Sequence, residues 1–188
     1  IMGGDFAPQA TLQGAVEAKK NLASDVDIVL IGDEKIAKEW LNNHNIDPKE
    51  FSFLNASQVI EMSEHATRAL RTKPDNSISI GFKALKLGQI DVLASAGNSG
   101  AMLVGSMFSI GPVPGVIRPC ITSVLPKENG SVGVILDVGV NADCKPDVLY
   151  QFAILGSLFA ELVYQIKAPK VGLLNIGEEK EKGNLLTQ

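Results

Sequence analysis

The chain has 188 residues, 45% of them hydrophobic and 20% charged, with a formal net charge of −4. That length supports one sizeable core or two small ones. The negative balance excludes a broad basic field for nucleic acid, and no uninterrupted apolar run reaches the ~18 residues of a bilayer-spanning helix.

Taken in chain order, Gly3-Gly4-Asp5 reads as the loop after a first strand of which little is present. A helical pattern covers 9–22. "VDIVLIG" (26–32) reads as a buried strand, a helix follows over 33–43, and "DPKEFSFLNAS" (47–57) holds one further short strand. "EMSEHATRALR" (61–71) has the spacing of an amphipathic surface helix, and a further helix is expected over 77–88. "IDVLASAG" (90–97), "SVGVILDVG" (131–139) and "KVGLLNIG" (170–177) read as buried strands, each ending in glycine. Helices are expected over 99–110 and 146–166, the latter with Phe152, Leu155, Leu158, Phe159 and Leu162 on its packing face. The β-α-β-α alternation predicts an open α/β sheet. The chain reads as a single α/β domain over 1–188, an incomplete part of a longer chain whose C-terminal portion and most of whose first strand lie outside it.

In open α/β sheets, ligands bind beyond the carboxyl ends of the strands. Four polar loops fall there: Gly3-Gly4-Asp5, Asn98-Ser99-Gly100, Val140 to Asp143, and Glu178 to Asn184. "AGNSGA" offers open backbone at a helix start. Asn98 or Ser99 caps that helix, and its N-terminus either receives a phosphate or is simply a capped turn. In "LDVGVNADCKPD", Asp143 caps a helix or orients a neighbour; the spacing fits no hard-cation loop. In "NIGEEKEKGN", Lys182 beside Gly183 either meets an anion or belongs to a solvated charged loop. His65, with Arg68 and Arg71, either adds positive charge to such a site or lines a helix surface, and His44 ends a helix in solvent. Cys120 and Cys144 fit no metal-ligand spacing and read as reduced, partly buried thiols. GxGxxG, GxxxxGK[ST], GxSxG and HExxH are all absent, which argues against a common dinucleotide fold, a P-loop and a covalent serine or cysteine hydrolase.

Five ordered motifs carry a resemblance: "MGGDFAP" (2–8), "SAGNSGAM" (95–102), "GVIRPCI" (115–121), "LDVGVNADCKPDVLYQFAILG" (136–156) and "VGLLNIGEEKEKGN" (171–184). Together they resemble the bacterial phosphate acyltransferases of phospholipid synthesis, the PlsX family. Ser99 stands where the family has threonine, which keeps the hydroxyl. Val140 and Cys120 stand where it has alanine, and Asn76 where serine is commoner. The chain is expected to cover about half to three-fifths of a member's length. The resemblance implies a three-layer α/β/α sandwich with a mostly parallel sheet, similar to phosphotransacetylases and isopropylmalate dehydrogenases. It implies transfer of a long-chain acyl group from acyl carrier protein to inorganic phosphate, giving acyl phosphate for a membrane glycerol-3-phosphate acyltransferase. It also implies a homodimer, cytoplasmic and peripheral to the inner membrane face, with no cofactor and no metal.

Phosphate is a nucleophile at neutral pH, so the protein's task is to hold it against the thioester and stabilise the oxyanion. On this reading Lys182 is the cationic partner, and Asn98, Ser99 and Gly100 supply donors. Asn141 and Asp143 position neighbouring groups. Gly3, Gly4 and Asp5 line the cleft, with Gly183 and Asn184 beside the substrate. Arg118 meets phosphate or a structural acid. An acidic carrier protein needs a local basic patch, for which Lys83 and Lys86 are the candidates. Two other readings stay open: a phosphotransacetylase-like enzyme acting on coenzyme A thioesters, and a non-catalytic carrier-protein or membrane scaffold.

Overall fold

The structure, a computed structural model, describes residues 1–141, 143–175 and 182–183. The chain divides into two compact units, Ile1–Gly111 and Pro112–Gln188.

The first unit begins with α1 (Gln9–Asn21), which buries Leu12 and Val16 and ends on Lys19 and Lys20, favourable charges for a helix C-terminus. β1 (Val29–Gly32) follows, then α2 (Glu34–Asn43), started by the Asp33 carboxylate, which accepts from the Ile36 N–H at 3.0 Å. A short turn of 3₁₀ helix, Pro48–Glu50, leads into β2 (Ser52–Asn55). β1 and β2 pair in parallel, Val29 opposite Ser52 through Gly32 opposite Asn55, so β1-α2-β2 is the predicted crossover unit. Its core is Leu12, Val16, Leu30, Ala37, Leu41 and Phe51. The Ile1 amine donates to the Ile31 carbonyl at 2.8 Å, which lays the first residues alongside β1.

α3 (Ala66–Thr72), α4 (Ser77–Lys86) and α5 (Ser99–Ser109) complete this unit around Ile60, Ala69, Ile78, Phe82 and Ala101. α4 starts on Asn76, fully buried, whose Oδ1 accepts from the Ser79 N–H at 2.8 Å.

The second unit holds an antiparallel hairpin, β3 (Thr122–Pro126) with β4 (Val132–Leu136), and the long α6 (Pro146–Tyr164). α6 opens with Pro146 and Asp147 in its first turn and closes on Gln165 in the left-handed region. Val148, Phe152 and Ala160 are its buried residues. A methyl group at Gly156 would lie 2.8 Å from Leu136 Cδ1. The face carrying Phe152, Gly156 and Ala160 therefore packs toward β4, and Phe152 is buried as expected. Leu158 and Leu162, expected on the packing face, are exposed.

The chain is thus α/β, with the parallel pair where the alternation predicts it. Residues 90–97 form no strand, and neither do 170–175; positions 176–177 lie outside the described residues. An apolar run reports a capacity for burial, whereas a strand needs a neighbouring backbone in register. β3 went unpredicted because it is largely exposed and carries no apolar alternation. α6 is, among the described residues, long and apolar enough to cross a bilayer. Counting uninterrupted apolar residues missed it, because Gln151 and Glu161 interrupt the run.

Candidate functional site

In the first unit the structure brings two of the glycine loops together. A methyl group at Gly3 would lie 2.6 Å from both the Cα and the N of Gly97. Real Cβ contacts do not come that close, so the two backbones touch only because Gly3 carries no side chain. Gly4 adopts φ 94°, and its Cβ position faces the Ala96 carbonyl. Gly3 and Gly4 are therefore stacked on the turn into α5 that carries Asn98, with exposed Asp5 just beyond.

That turn is held by one side chain. Asn98 is 7% exposed. Its Oδ1 accepts from the Ala101 N–H at 2.9 Å, which caps α5. Its Nδ2 lies 3.1 Å from the Glu61 carbonyl, 3.2 Å from that of Met62 and 3.0 Å from that of Glu64. The Asn98 amide is thus committed to the protein and donates nothing outward. Ser99 and Gly100 behave differently. Their N–H groups have no acceptor among the described residues, and Ser99 is exposed. Two open N–H groups and the positive end of the α5 dipole are what an anion requires. A methyl group at Gly100 would lie 3.3 Å from Ala66 Cβ, so the start of α3 abuts the start of α5 and His65 stands close by.

The second unit gathers Arg118, Asn141 and Asp143 around Asp137. One Asp137 oxygen accepts from the Asn141 N–H at 2.7 Å, the other from the Ile121 N–H at 3.2 Å. Asn141 Nδ2 donates to the Pro119 carbonyl at 3.0 Å. Arg118 Nη1 donates to the Asp143 carbonyl at 3.1 Å, so the guanidinium meets backbone rather than a carboxylate. Arg118 and Asp143 are exposed. Burial pushes the Cys120 thiol above its usual range, and the Asp137 charge adds to this. The same two causes, in the same order, raise Cys144. Both thiols are half-buried and unbridged. Asp137 organises this loop, a role the sequence reading did not assign to it.

Asn175 Nδ2 donates to the Lys182 carbonyl at 3.2 Å. Lys182 is exposed and Gly183 has φ 102°. Among the described residues no hydrogen bond or ion pair joins the Lys182 ammonium to Asn141 or Asp143. Asn184 and Glu178 to Glu181 lie outside the described residues. Lys83 and Lys86 are exposed on the last turn of α4.

A family model described as fatty acid synthesis protein matches residues 1–188. The phosphate acyltransferase of Dictyoglomus turgidum is 41% identical over 187 residues, covering 100% of this chain and 55% of that protein. The Desulfitobacterium hafniense phosphate acyltransferase is 42% identical over 187 residues, again 100% of this chain and 55% of its own. That of Acetivibrio thermocellus is 43% identical over 183 residues, 97% of this chain and 53% of the relative. The chain spans about half the length of the curated relatives it matches. By the match along its whole length, the chain belongs to the fatty acid synthesis protein family, that of the bacterial phosphate acyltransferases.

Proposed function

We propose that the protein transfers a long-chain acyl group from acyl carrier protein to inorganic phosphate. The observation that carries this reading is the α5 N-terminus. Asn98 fixes it from inside, and the Ser99 and Gly100 N–H groups are left open to an anion. The family's relatives, named phosphate acyltransferases, supply the chemistry such an anion would enter.

In the reaction a phosphate oxygen attacks the thioester carbonyl, a C–O bond forms and the C–S bond breaks. The electron pair leaves on sulfur, which takes a proton to give the free carrier thiol. The Ser99 and Gly100 N–H groups and the Ser99 hydroxyl bind phosphate; Asn98 holds them in place. Lys182 offsets charge on phosphate or on the developing oxyanion. In the second unit Asn141 and Asp143 brace the Arg118 segment, and Arg118 remains exposed for a phosphate or carrier contact. Gly3 and Gly4 form the floor beneath the phosphate turn, and Gly183 and Asn184 flank Lys182. The exposed Lys83 and Lys86 are the docking positions for an acidic carrier. The protein works as a homodimer in the cytoplasm, against the inner membrane face, and hands acyl phosphate to a membrane acyltransferase.

The test uses full-length protein. It is incubated with long-chain acyl carrier protein, with and without phosphate, and carrier-thiol release is followed. Release should depend on phosphate and fall about 100-fold in Lys182→Ala, as when one oxyanion donor is removed. Faster turnover of coenzyme A thioesters would replace the carrier protein in this scheme. Release independent of phosphate would overturn it.

A further inference from the structure

We propose that Glu64 and Lys73, which lie outside every motif of the site, are positioning residues that set the Gly97–Gly100 turn through Asn98. The proposal rests on the reading of that turn as part of the active site.

A buried amide needs acceptors, and Asn98 finds three carbonyls on one turn, those of Glu61, Met62 and Glu64. Three carbonyls aimed at one nitrogen repel each other, so something must hold the turn closed. Glu64 does so from both ends. Its N–H donates to the Glu61 carbonyl at 3.1 Å, and its Oε2 accepts from the Glu61 N–H at 2.7 Å. Lys73 then clamps the turn from outside: its ammonium lies 2.6 Å from Glu64 Oε2 and 2.7 Å from the Val59 carbonyl.

Lys73 is itself anchored, being the residue that ends α3, with its carbonyl accepting from the buried Asn76. The next residues repeat the tie. The Gln58 N–H donates to the Asp75 carbonyl at 3.0 Å, and the Asp75 carboxylate accepts the Ser57 N–H at 2.9 Å. The 57–64 segment is therefore pinned along the α3–α4 junction, and Asn98 is seated against it. None of these bonds touches Ser99 or Gly100. They act on those residues through the Asn98 amide, a path separate from the direct packing of Ala66 against Gly100.

The experiment measures carrier-thiol release against inorganic phosphate in the full-length protein. Amide hydrogen exchange of the 95–104 segment is followed in parallel. Lys73→Met and Glu64→Ala each remove a charge-assisted bond, so KM for phosphate should rise about tenfold with a smaller change in kcat. Exchange at Ala101 and Met102 should quicken by a similar factor. Glu64→Gln keeps an acceptor for both partners and should restore KM to within about threefold of wild type. In an Asn98→Ala background the Lys73→Met effect should vanish, because a shared path makes the two non-additive.

An unchanged KM with unchanged exchange in folded Lys73→Met overturns the proposal, as does additivity with Asn98→Ala. Should Glu64→Ala not fold, Lys73→Met and Glu64→Gln decide the same question. If wild-type turnover proves independent of phosphate, the functional reading fails. Exchange then judges the positioning alone: quickening supports it, and no change overturns it.

Discussion

The turn at Gly97–Gly100 and the loop from Asp137 to Cys144 do the same job with opposite electrostatics. Each is a loop organised by one side chain that hydrogen-bonds the backbone. Asn98 is a neutral amide that donates on one side and accepts on the other. Asp137 is a carboxylate whose two oxygens each accept a backbone N–H. A neutral anchor leaves the field of the α5 N-terminus undiminished for an outside anion. A carboxylate beside Asn141 repels one, and its charge is felt by both Cys120 and Cys144. Of the two loops, the α5 N-terminus is therefore the one whose field favours an anion.

The largest expected effect comes from breaking the neutral anchor. Asn98→Ala removes a helix cap and strips three carbonyls of their donor, which should destabilise the protein by about 3 kcal/mol. Asn98→Asp sharpens the comparison. It keeps the acceptor for the Ala101 N–H but turns an oxygen toward three carbonyls. Urea unfolding should show it to be no more stable than the alanine variant, and phosphate-dependent turnover should fall in both. A fully active Asn98→Asp protein would erase the contrast between the two loops.

Neutralising the charged anchor is the converse experiment. Asp137→Asn retains one acceptor oxygen but presents an NH₂ to the second backbone N–H. The loss should be about 2 kcal/mol, the usual worth of a bond to a charged group. The thiols give a separate readout. With the Asp137 charge gone, alkylation of Cys120 and Cys144 should titrate at lower pH than in wild type. It should still titrate above the ordinary thiol range, because burial is the larger cause of the shift. Unchanged alkylation profiles would mean that the carboxylate is screened from both sulfurs.

How much of this was legible follows from the range of each interaction. Asn98 as a cap was readable, because a cap acts over three residues and "AGNSGA" displays it. β1-α2-β2 was readable because the apolar run at 26–32 and the helical pattern at 33–43 are local signals, and the alternation supplied the parallel return. The strand expected at 90–97 failed because pairing depends on another segment, and Val92 is in fact exposed. The committed state of the Asn98 amide was invisible, since its acceptors lie 34 to 37 residues away. In "EMSEHATRALRTKPD" the sequence drew attention to His65, Arg68 and Arg71 as charge. The residues that hold the turn are instead Glu64 and Lys73, whose pairing depends on how α3 folds back. Asp137 was hidden in the same way, looking like one acid among several in "LDVGVNADCKPD".

The smallest expected effect is a pH dependence confined to the first unit. The hydrogen bond from Lys73 holds the Glu64 carboxyl below its ordinary value, with the Glu61 N–H adding to it. A carboxylate with a depressed folded value stabilises the fold above the unfolded value. That contribution is lost as pH falls through the folded one. The turn should therefore be firm at neutral pH and loosen only in acid, below the range in which a free glutamate protonates. Carboxyl NMR of Glu64 reads this directly, and Lys73→Met should bring its midpoint back up toward that of a free glutamate. Asp75, held down by the Ser57 hydroxyl and N–H, should lag behind free aspartate in the same acid range. The Lys73 substitution should leave it unmoved. A Glu64 midpoint indifferent to Lys73 would show that the ammonium serves only the Val59 carbonyl. The neutral anchor would then stand without a charged support behind it.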